Sequence, residues 1–432
     1  MCQALSEWMV NMRKSLPYVA IIFMVGCSNG GDPHRHNNKP SQVAGYLYLL
    51  SNSQTMQPSS LARYAIHADG SMHSAEIAPV GHLATAIAIN PSIQAIWPPR
   101  RFLYVANSGD RTISQFVIRE SEDGKLVPLS PATVPNTGMV SGGVANQIAI
   151  DSRGMYVYVL NGGDETISQF SISGDGTLLP MTPAFVNVSA PTSITIDPTG
   201  KYVYVTAHNI MQAQGGLFVP GSSMSSILQF KIESNGALTP LSPAEVVVAG
   251  ASSRVVIDRK AKNAYVLSDC VGTECSGAVS QYSIAADGTL APVLGSTTQP
   301  VAVSIGSYYS AVDMHFDQSA ARAFVLSNFM GIDTNPAAIW QFDVNADGSL
   351  SANGNPARVN TGMGAISFVN SVNNSLIVLS WPASPVFPML TGTLVNTYAI
   401  GNNGALTLSN SLSIKDVVPT AMAVLPEPLI ID

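Results

Sequence analysis

Short runs of β-branched, aromatic and aliphatic residues alternate along this chain with clusters of Gly, Pro, Asn, Asp and Ser. That rhythm predicts many short strands joined by tight turns. One copy of the pattern runs from Ser193-Ile194-Thr195-Ile196 through Asp197-Pro198-Thr199-Gly200-Lys201 into Tyr202-Val203-Tyr204-Val205. After a loop it continues as Ile227-Leu228-Gln229-Phe230-Lys231-Ile232 and closes on Asn235-Gly236-Ala237-Leu238. Two linked markers repeat this unit seven times. The first is an aromatic at Tyr64, Phe116, Phe170, Phe230, Tyr282, Phe342 and Tyr398, spaced 52 to 60 residues apart. The second is a following turn at Asp69-Gly70, Asp123-Gly124, Asp175-Gly176, Asn235-Gly236, Asp287-Gly288, Asp347-Gly348 and Asn403-Gly404. A fixed period of this size signals a repeat architecture.

Each unit divides into four strands. Strand A is rich in small and apolar residues (Gln147 to Ile150, Ser193 to Ile196), and strand B alternates aromatic with β-branched residues (Tyr156 to Val159, Tyr202 to Val205). Strand C carries the marker aromatic, usually after Gln; strand D is polar and bears Pro, as in Leu241 to Val248. Polarity rising outwards, with Pro tolerated on the last strand, is the gradient of a propeller blade. The Asp/Asn-Gly pairs supply the positive φ that the C–D hairpins need. The expected fold is therefore all-β: a seven-bladed β-propeller of four-stranded antiparallel blades. The ends refine it. The pattern opens on a B strand, Tyr46 to Leu50, followed by C around Tyr64 and D around Ala75 to Val80. It closes on an orphan A strand, Thr420 to Leu425. Pairing that C-terminal strand with the N-terminal B-C-D set completes the seventh blade and hides two edges. The propeller is placed at residues 44–427, with 428–432 as a tail.

A chain of 432 residues would ordinarily suggest more than one domain, but a ring of repeats grows its core around the circle. Charged residues are 11% of the chain and the net charge is −7, which argues against nucleic acid or anionic membrane as electrostatic partners. The basic pairs Arg13-Lys14, Arg100-Arg101 and Arg259-Lys260 are too scattered to reverse that.

Residues 1–26 read as an export signal. Arg13-Lys14 forms the basic region, and the apolar stretch Leu16 to Val25 is too short to span a bilayer. Translation starting at Met12 would give the basic region its usual length. Phe23-Met24-Val25-Gly26-Cys27 resembles a bacterial lipobox, which implies diacylated Cys27 as the mature N-terminus; an ordinary secretory signal or an uncleaved anchor are the alternatives. Ser28 follows where an inner-membrane retention signal has Asp, so an outer-membrane lipoprotein, periplasmic or surface-exposed, is expected. Residues 27–43 form the lipidated Cys and a polar, flexible tether. His34 and His36 within it are read as solvated rather than metal-binding. Cys270 and Cys275 share one loop around Gly272, which suits a small-loop disulfide in an oxidising compartment, with a two-Cys zinc site as the alternative.

The Tyr-Val-Tyr-Val strand after Asp-Pro-Thr-Gly-Lys resembles the lactonase-like seven-bladed propellers. That superfamily includes 6-phosphogluconolactonases, muconate-cyclising enzymes and YVTN-repeat surface proteins. The resemblance covers nearly all of Gly45 to Pro426 and implies the fold; its repeat motifs say little of chemistry. The lactonases of this group carry an Arg-His pair entering an A strand. Here the nearest match is Asp313-Met314-His315-Phe316, without the preceding Arg, while Arg254 enters another A strand without a His. His315, Arg254 and His208 are thus the catalytic candidates, and none is assigned.

Irregular loops (Thr206 to Ser226, Ser268 to Ala278, Asn328 to Ala338, Ser380 to Gly392) fall on the B–C and D–A face, where a rigid scaffold would present function. Polar residues after strand B would ring the channel mouth there: Asn107, Asn161, His208, Asn209, Asp269 and Asn328. The plainer alternative is that they end strands and cap backbone groups. No metal or cofactor is expected, because the turns offer one carboxylate or none where calcium wants several. The leading expectation is a non-catalytic, monomeric binding or interaction protein of the cell envelope, meeting a protein or small molecule on that loop face. A lactone hydrolase resembling 6-phosphogluconolactonase, acting on a periplasmic lactone, is the alternative.

Overall fold

Strict alternation in the B strands sets up the architecture. In Tyr156–Asn161 every side chain is buried, yet successive residues point to opposite faces of the sheet. Tyr158 and Leu160 join one apolar cluster with Ile194, Val203 and Phe230; Val157 and Val159 join another with Phe102, Tyr104 and Ile113. A strand buried on both faces needs a sheet on each side, and sheets standing face to face around an axis make a ring.

The computed structural model describes residues 43–52, 58–91, 100–138, 145–209, 224–248, 251–269, 276–293, 302–317, 319–329, 337–354, 357–358, 364–371, 375–381, 393–414 and 418–426. They form seven antiparallel sheets. In the second to fourth blades the strands run inside to outside in chain order. Blade 2 holds Ala84–Ile89, Arg101–Asn107, Thr112–Arg119 and Lys125–Pro135. Blade 3 holds Ala145–Ile150, Tyr156–Asn161, Thr166–Ile172 and Leu178–Asn187. Blade 4 holds Pro191–Ile196, Tyr202–Asn209, Met224–Ile232 and Leu238–Val248. Blades 5 and 6 begin with Ser252–Ile257 and Tyr309–Phe316, and their outer strands are each in two pieces. Blade 7 begins with Gly364–Ser371. Blade 1 is the composite. Val43–Asn52, Ser60–His67 and Met72–Pro79 supply its B, C and D strands, and Val418–Pro426 is its inner strand. Tyr46 lies opposite Leu425 and Leu50 opposite Ala421, so the closure expected from the orphan strand is the one found.

Seven apolar clusters fill the seven gaps between consecutive blades. The last packs Leu47, Leu49 and Tyr64 of blade 1 against Ile377, Leu379 and Val395 of blade 7. The core is thus a ring of thin layers, each shared by two neighbours.

One polar contact recurs at these gaps. In blades 1 to 5 the B-strand tyrosine donates its hydroxyl to the turn glycine of the next blade: Tyr48 to the Gly124 carbonyl, Tyr104 to Gly176, Tyr158 to Gly236, Tyr204 to Gly288 and Tyr265 to Gly348, all at 2.6–2.7 Å. Burial pushes each of these phenols well above its usual range. At the corresponding positions Phe324 and Ile377 make only the apolar contact. The glycines are needed twice over. Gly176 and Gly236 have φ of 93° and 86°, and a Cβ on them would come within 2.2 and 2.3 Å of Phe102 and Tyr156. The glutamine before the C-strand aromatic adds a second bridge. Gln115, Gln169 and Gln229 accept from the Leu178, Leu238 and Leu290 amides of the next blade. Their side-chain amides donate to Pro131, Pro183 and Pro243 of their own outer strand.

Replacing Tyr158 with Phe removes the hydroxyl and leaves the buried Gly236 carbonyl without that donor. The expected cost is about 1–3 kcal/mol in urea unfolding, with the slope unchanged. A variant as stable as the parent would show that the hydroxyl contact contributes nothing.

Candidate functional site

The inner strands share a local irregularity beside the cavity. Each slips register against its B strand: between Ala84 and Ala86, Ala145 and Gln147, Pro191 and Ser193, Ser252 and Arg254, and Ala311 and Asp313. A bulge bends the strand and re-aims the residue that follows it. That position holds Ala86, Gln147, Ser193, Arg254 and Asp313 in blades 2 to 6. In blades 5 and 6 it therefore brings a cation beside an anion.

Arg254 Nη1 donates to Asp313 Oδ1 at 2.6 Å across the gap between the two blades. His315 lies two residues further along the same strand, hence on the same face. Its Nε2 is 3.4 Å from Asp313 Oδ2. The Asp313 side chain is buried, while those of Arg254 and His315 are 33% and 31% exposed. Burial acts to raise the Asp313 carboxyl, but Arg254 and His315 outweigh it and hold the group down at about 2. The Met314 amide also donates to Asp313 Oδ1, at 2.9 Å. On the other side of the cavity Gln147 Oε1 accepts from Ser193 Oγ and the Ile194 amide. Thr195 Oγ1 donates to the Val255 carbonyl, tying blade 4 to blade 5. These groups line a cavity of about 300 Å³ that runs from Gln147, Arg254 and Asp313 to the A–B turns at Pro198 and Arg259.

The arrangement suits a small oxygen-rich ligand. A guanidinium and an imidazole converge on one fixed carboxylate and keep a third of their surface for solvent or ligand. An imidazole oriented by a carboxylate is also the makings of a general base, and an adjacent guanidinium can stabilise a developing oxyanion.

The structure thus joins two of the three catalytic candidates. Arg254 and His315 look unrelated in sequence because each lacks the other's neighbour; the adjacent blade supplies it, with Asp313 as the link. Gln147 and Thr195 were not singled out. Aligning the repeats column by column, with Arg254 and Asp313 in the same column, is the signal that would have found the set. His208, the third candidate, lies at the other end of its blade in Tyr202–Asn209, where Nδ1 is 3.5 Å from Ser225 Oγ. Asp269, after the next B strand, touches solvent, yet partial burial raises its carboxyl while His208 draws it back.

The expected ring of polar residues needs correction at two positions. Asn107 and Asn161 are 0% exposed. Asn107 accepts from the Gly81 amide and donates to Thr112 and Ser114; Asn161 accepts from Asn136 and donates to Thr166 and Ser168. Spent amides sealed between strands lock loops and line no mouth. Asn328 is half-buried in Arg322–Phe329, opposite Ser310, and Asn209 ends its strand. Cys27, Cys270 and Cys275, and most of the four irregular loops, lie outside the described residues. Among the described residues no three His, Cys, Asp or Glu side chains gather as a metal site.

Asp313 has a pH signature. Its carboxyl is depressed from 3.8 to about 2, so the stability it contributes is complete above its unfolded pKa and lost as pH falls through the folded one. The stability gap between the parent and Asp313→Asn should shrink by about 2 kcal/mol as pH is lowered from 5 towards 2. Urea titrations across that range check it; a gap independent of pH would contradict the ion-paired assignment.

With the site described, comparison with known proteins places the chain. The family model for lactonase, 7-bladed beta-propeller matches residues 91–214, which run from the second blade into the fourth and include Gln147 and Thr195. No curated protein matches the sequence. Among solved structures, a candidate 6-phosphogluconolactonase from Bacteroides fragilis aligns with a TM-score of 0.63 at 16% identity, covering 91% of this chain and all 100% of that one. Its counterpart from Bacteroides uniformis gives 0.65 at 17%, over 89% and 100%. A periplasmic gluconolactonase from Pseudomonas aeruginosa gives 0.60 at 15%, over 89% and 99%. At such identities the likeness is one of fold. The chain is therefore a seven-bladed β-propeller, and its residues 91–214 are similar to the lactonase, 7-bladed beta-propeller family.

Proposed function

We propose that this protein is an exported, lipid-anchored propeller of the bacterial cell envelope that binds a small acid or lactone in its channel. The observation that carries this reading is the convergence of Arg254 and His315 on buried Asp313 beside a cavity of about 300 Å³. A sugar-sized molecule fits that volume, and its oxygens would accept from the guanidinium and the imidazole. The export signal and Cys27 put such a site outside the cytoplasm, held to the outer membrane through the tether. Binding without turnover is preferred because Asp313 already neutralises Arg254, which weakens the cation that hydrolysis would use.

A second reading is lactone hydrolysis, and one geometric feature favours it. Asp313 within 3.4 Å of His315 Nε2 fixes the ring, which would let Nδ1 take a proton from water attacking a lactone carbonyl. The acyl–oxygen bond would then open, and the proton would pass to the departing ring oxygen, giving the hydroxy acid.

Calorimetry with the purified chain against aldonic acids and their lactones separates the two. Binding that Arg254→Ala weakens by about tenfold or more, with no acid released from the lactone, fits the first. Acid release that His315→Ala abolishes while binding persists fits the second. Failure to bind either compound contradicts both. In cells, Cys27→Ala should move the protein from the membrane to the soluble periplasmic fraction; membrane retention would overturn the anchor.

A further inference from the structure

A second surface, remote from the channel cavity, collects aromatic rings. Tyr309 opens the inner strand of blade 6, and its ring stands between Phe329, at 5.1 Å and 64°, and Trp340, at 5.7 Å and 79°. Tyr308 extends the group, with its ring 6.2 Å from Phe329. Tyr308 is 39% exposed, and the other three rings are half-buried. Asp313 lies four residues beyond Tyr309, about 13 Å along the strand. The aromatic patch therefore occupies the D–A and B–C end of blade 6, away from the cavity's A–B turns.

The backbone there is under constraint. Tyr308 has φ of 64°, a conformation that glycine adopts freely and a bulky residue does not. Two residues earlier, Gly306 passes so close under Trp340 that a Cβ would lie 2.9 Å from the indole. The indole N–H is satisfied within the blade by Ser327 Oγ at 2.9 Å, so the ring offers the surface its hydrocarbon. Beside the rings runs a hydroxyl network: Ser276 and Ser304 meet at 2.8 Å, and Ser276 Oγ donates to the Gly306 carbonyl. No Asp, Glu, Lys or Arg occurs in residues 302–312, 323–329 or 337–342.

We propose that this patch is a binding site for a neutral saccharide, distinct from the channel site and independent of its assignment. A pyranose ring presents carbon-bound hydrogens on its faces and hydroxyls around its rim. Rigid aromatic rings cover the first, and serine hydroxyls on the same surface answer the second. The serine network argues against a purely apolar ligand.

The test uses Trp fluorescence of the full chain titrated with cellotetraose, maltotetraose and chitotetraose, and with polygalacturonate as a charged control. At least one neutral tetrasaccharide should shift the emission with a dissociation constant below about 10 mM. Tyr308→Gly should weaken that binding by about tenfold while the melting temperature stays level or rises, because glycine relieves the positive φ. Trp340→Leu should abolish the shift, and aldonate binding in the channel should be unaffected in both variants. The proposal is overturned if no neutral tetrasaccharide binds, if Tyr308→Gly binds as the parent does, or if polygalacturonate binds equally well.

Discussion

A tyrosine hydroxyl in one blade reaching the carbonyl of a turn glycine in the next is the contact on which this molecule's regularity rests. It requires a B strand buried on both faces, so that the ring crosses the gap between blades. It also requires a turn that can come close to that ring, which only glycine at positive φ allows. Tyr104 with Gly176 and Tyr158 with Gly236 satisfy both conditions, and the adjacent Gln115 and Gln169 bridges repeat the crossing through a side-chain amide. Five of the seven blades are thereby tied to their neighbours, as expected of a structure whose stability is a sum of nearest-neighbour interfaces.

A ring built that way leaves its inner strands free to vary. Small residues and hydroxyls suffice to hold the A strands together, as Thr85 and Ser253 do by donating to the Ala145 and Ala311 carbonyls of the following blade. In blades 3, 5 and 6 the residue after the bulge, Gln147, Arg254 or Asp313, lines the cavity, whereas in blade 2 Ala86 stays in the apolar layer. Blade 2 places an alanine there, blades 3 and 4 polar amide and hydroxyl, and blades 5 and 6 an ion pair. The ion pair of the cavity thus sits in one column of the repeat.

The repeat itself explains what the sequence made legible. The aromatic and Asp/Asn-Gly markers are interface residues, so they recur with the period and disclose blade number, strand order and the closing strand. Asn107 and Asn161 misled for a related reason: they recur after B strands because they lock loops, and recurrence in a repeat marks scaffold. Arg254, Asp313 and His315 are singular within their column, and only the ring's closure into adjacent blades brings the first within 2.6 Å of the second. Tyr308 was invisible as well, since nothing in the residue string announces a tyrosine at positive φ.

The central claim is that blade 1 is a full member of the ring although its inner strand comes from the far end of the chain. Native-state hydrogen exchange tests it directly. The amides of Ala421 to Leu425 should open only with global unfolding, at the same free energy as those of Tyr156 to Leu160. Exchange of that segment orders of magnitude faster, with the other blades still protected, would show that the closing strand is an accessory and that the ring holds without it.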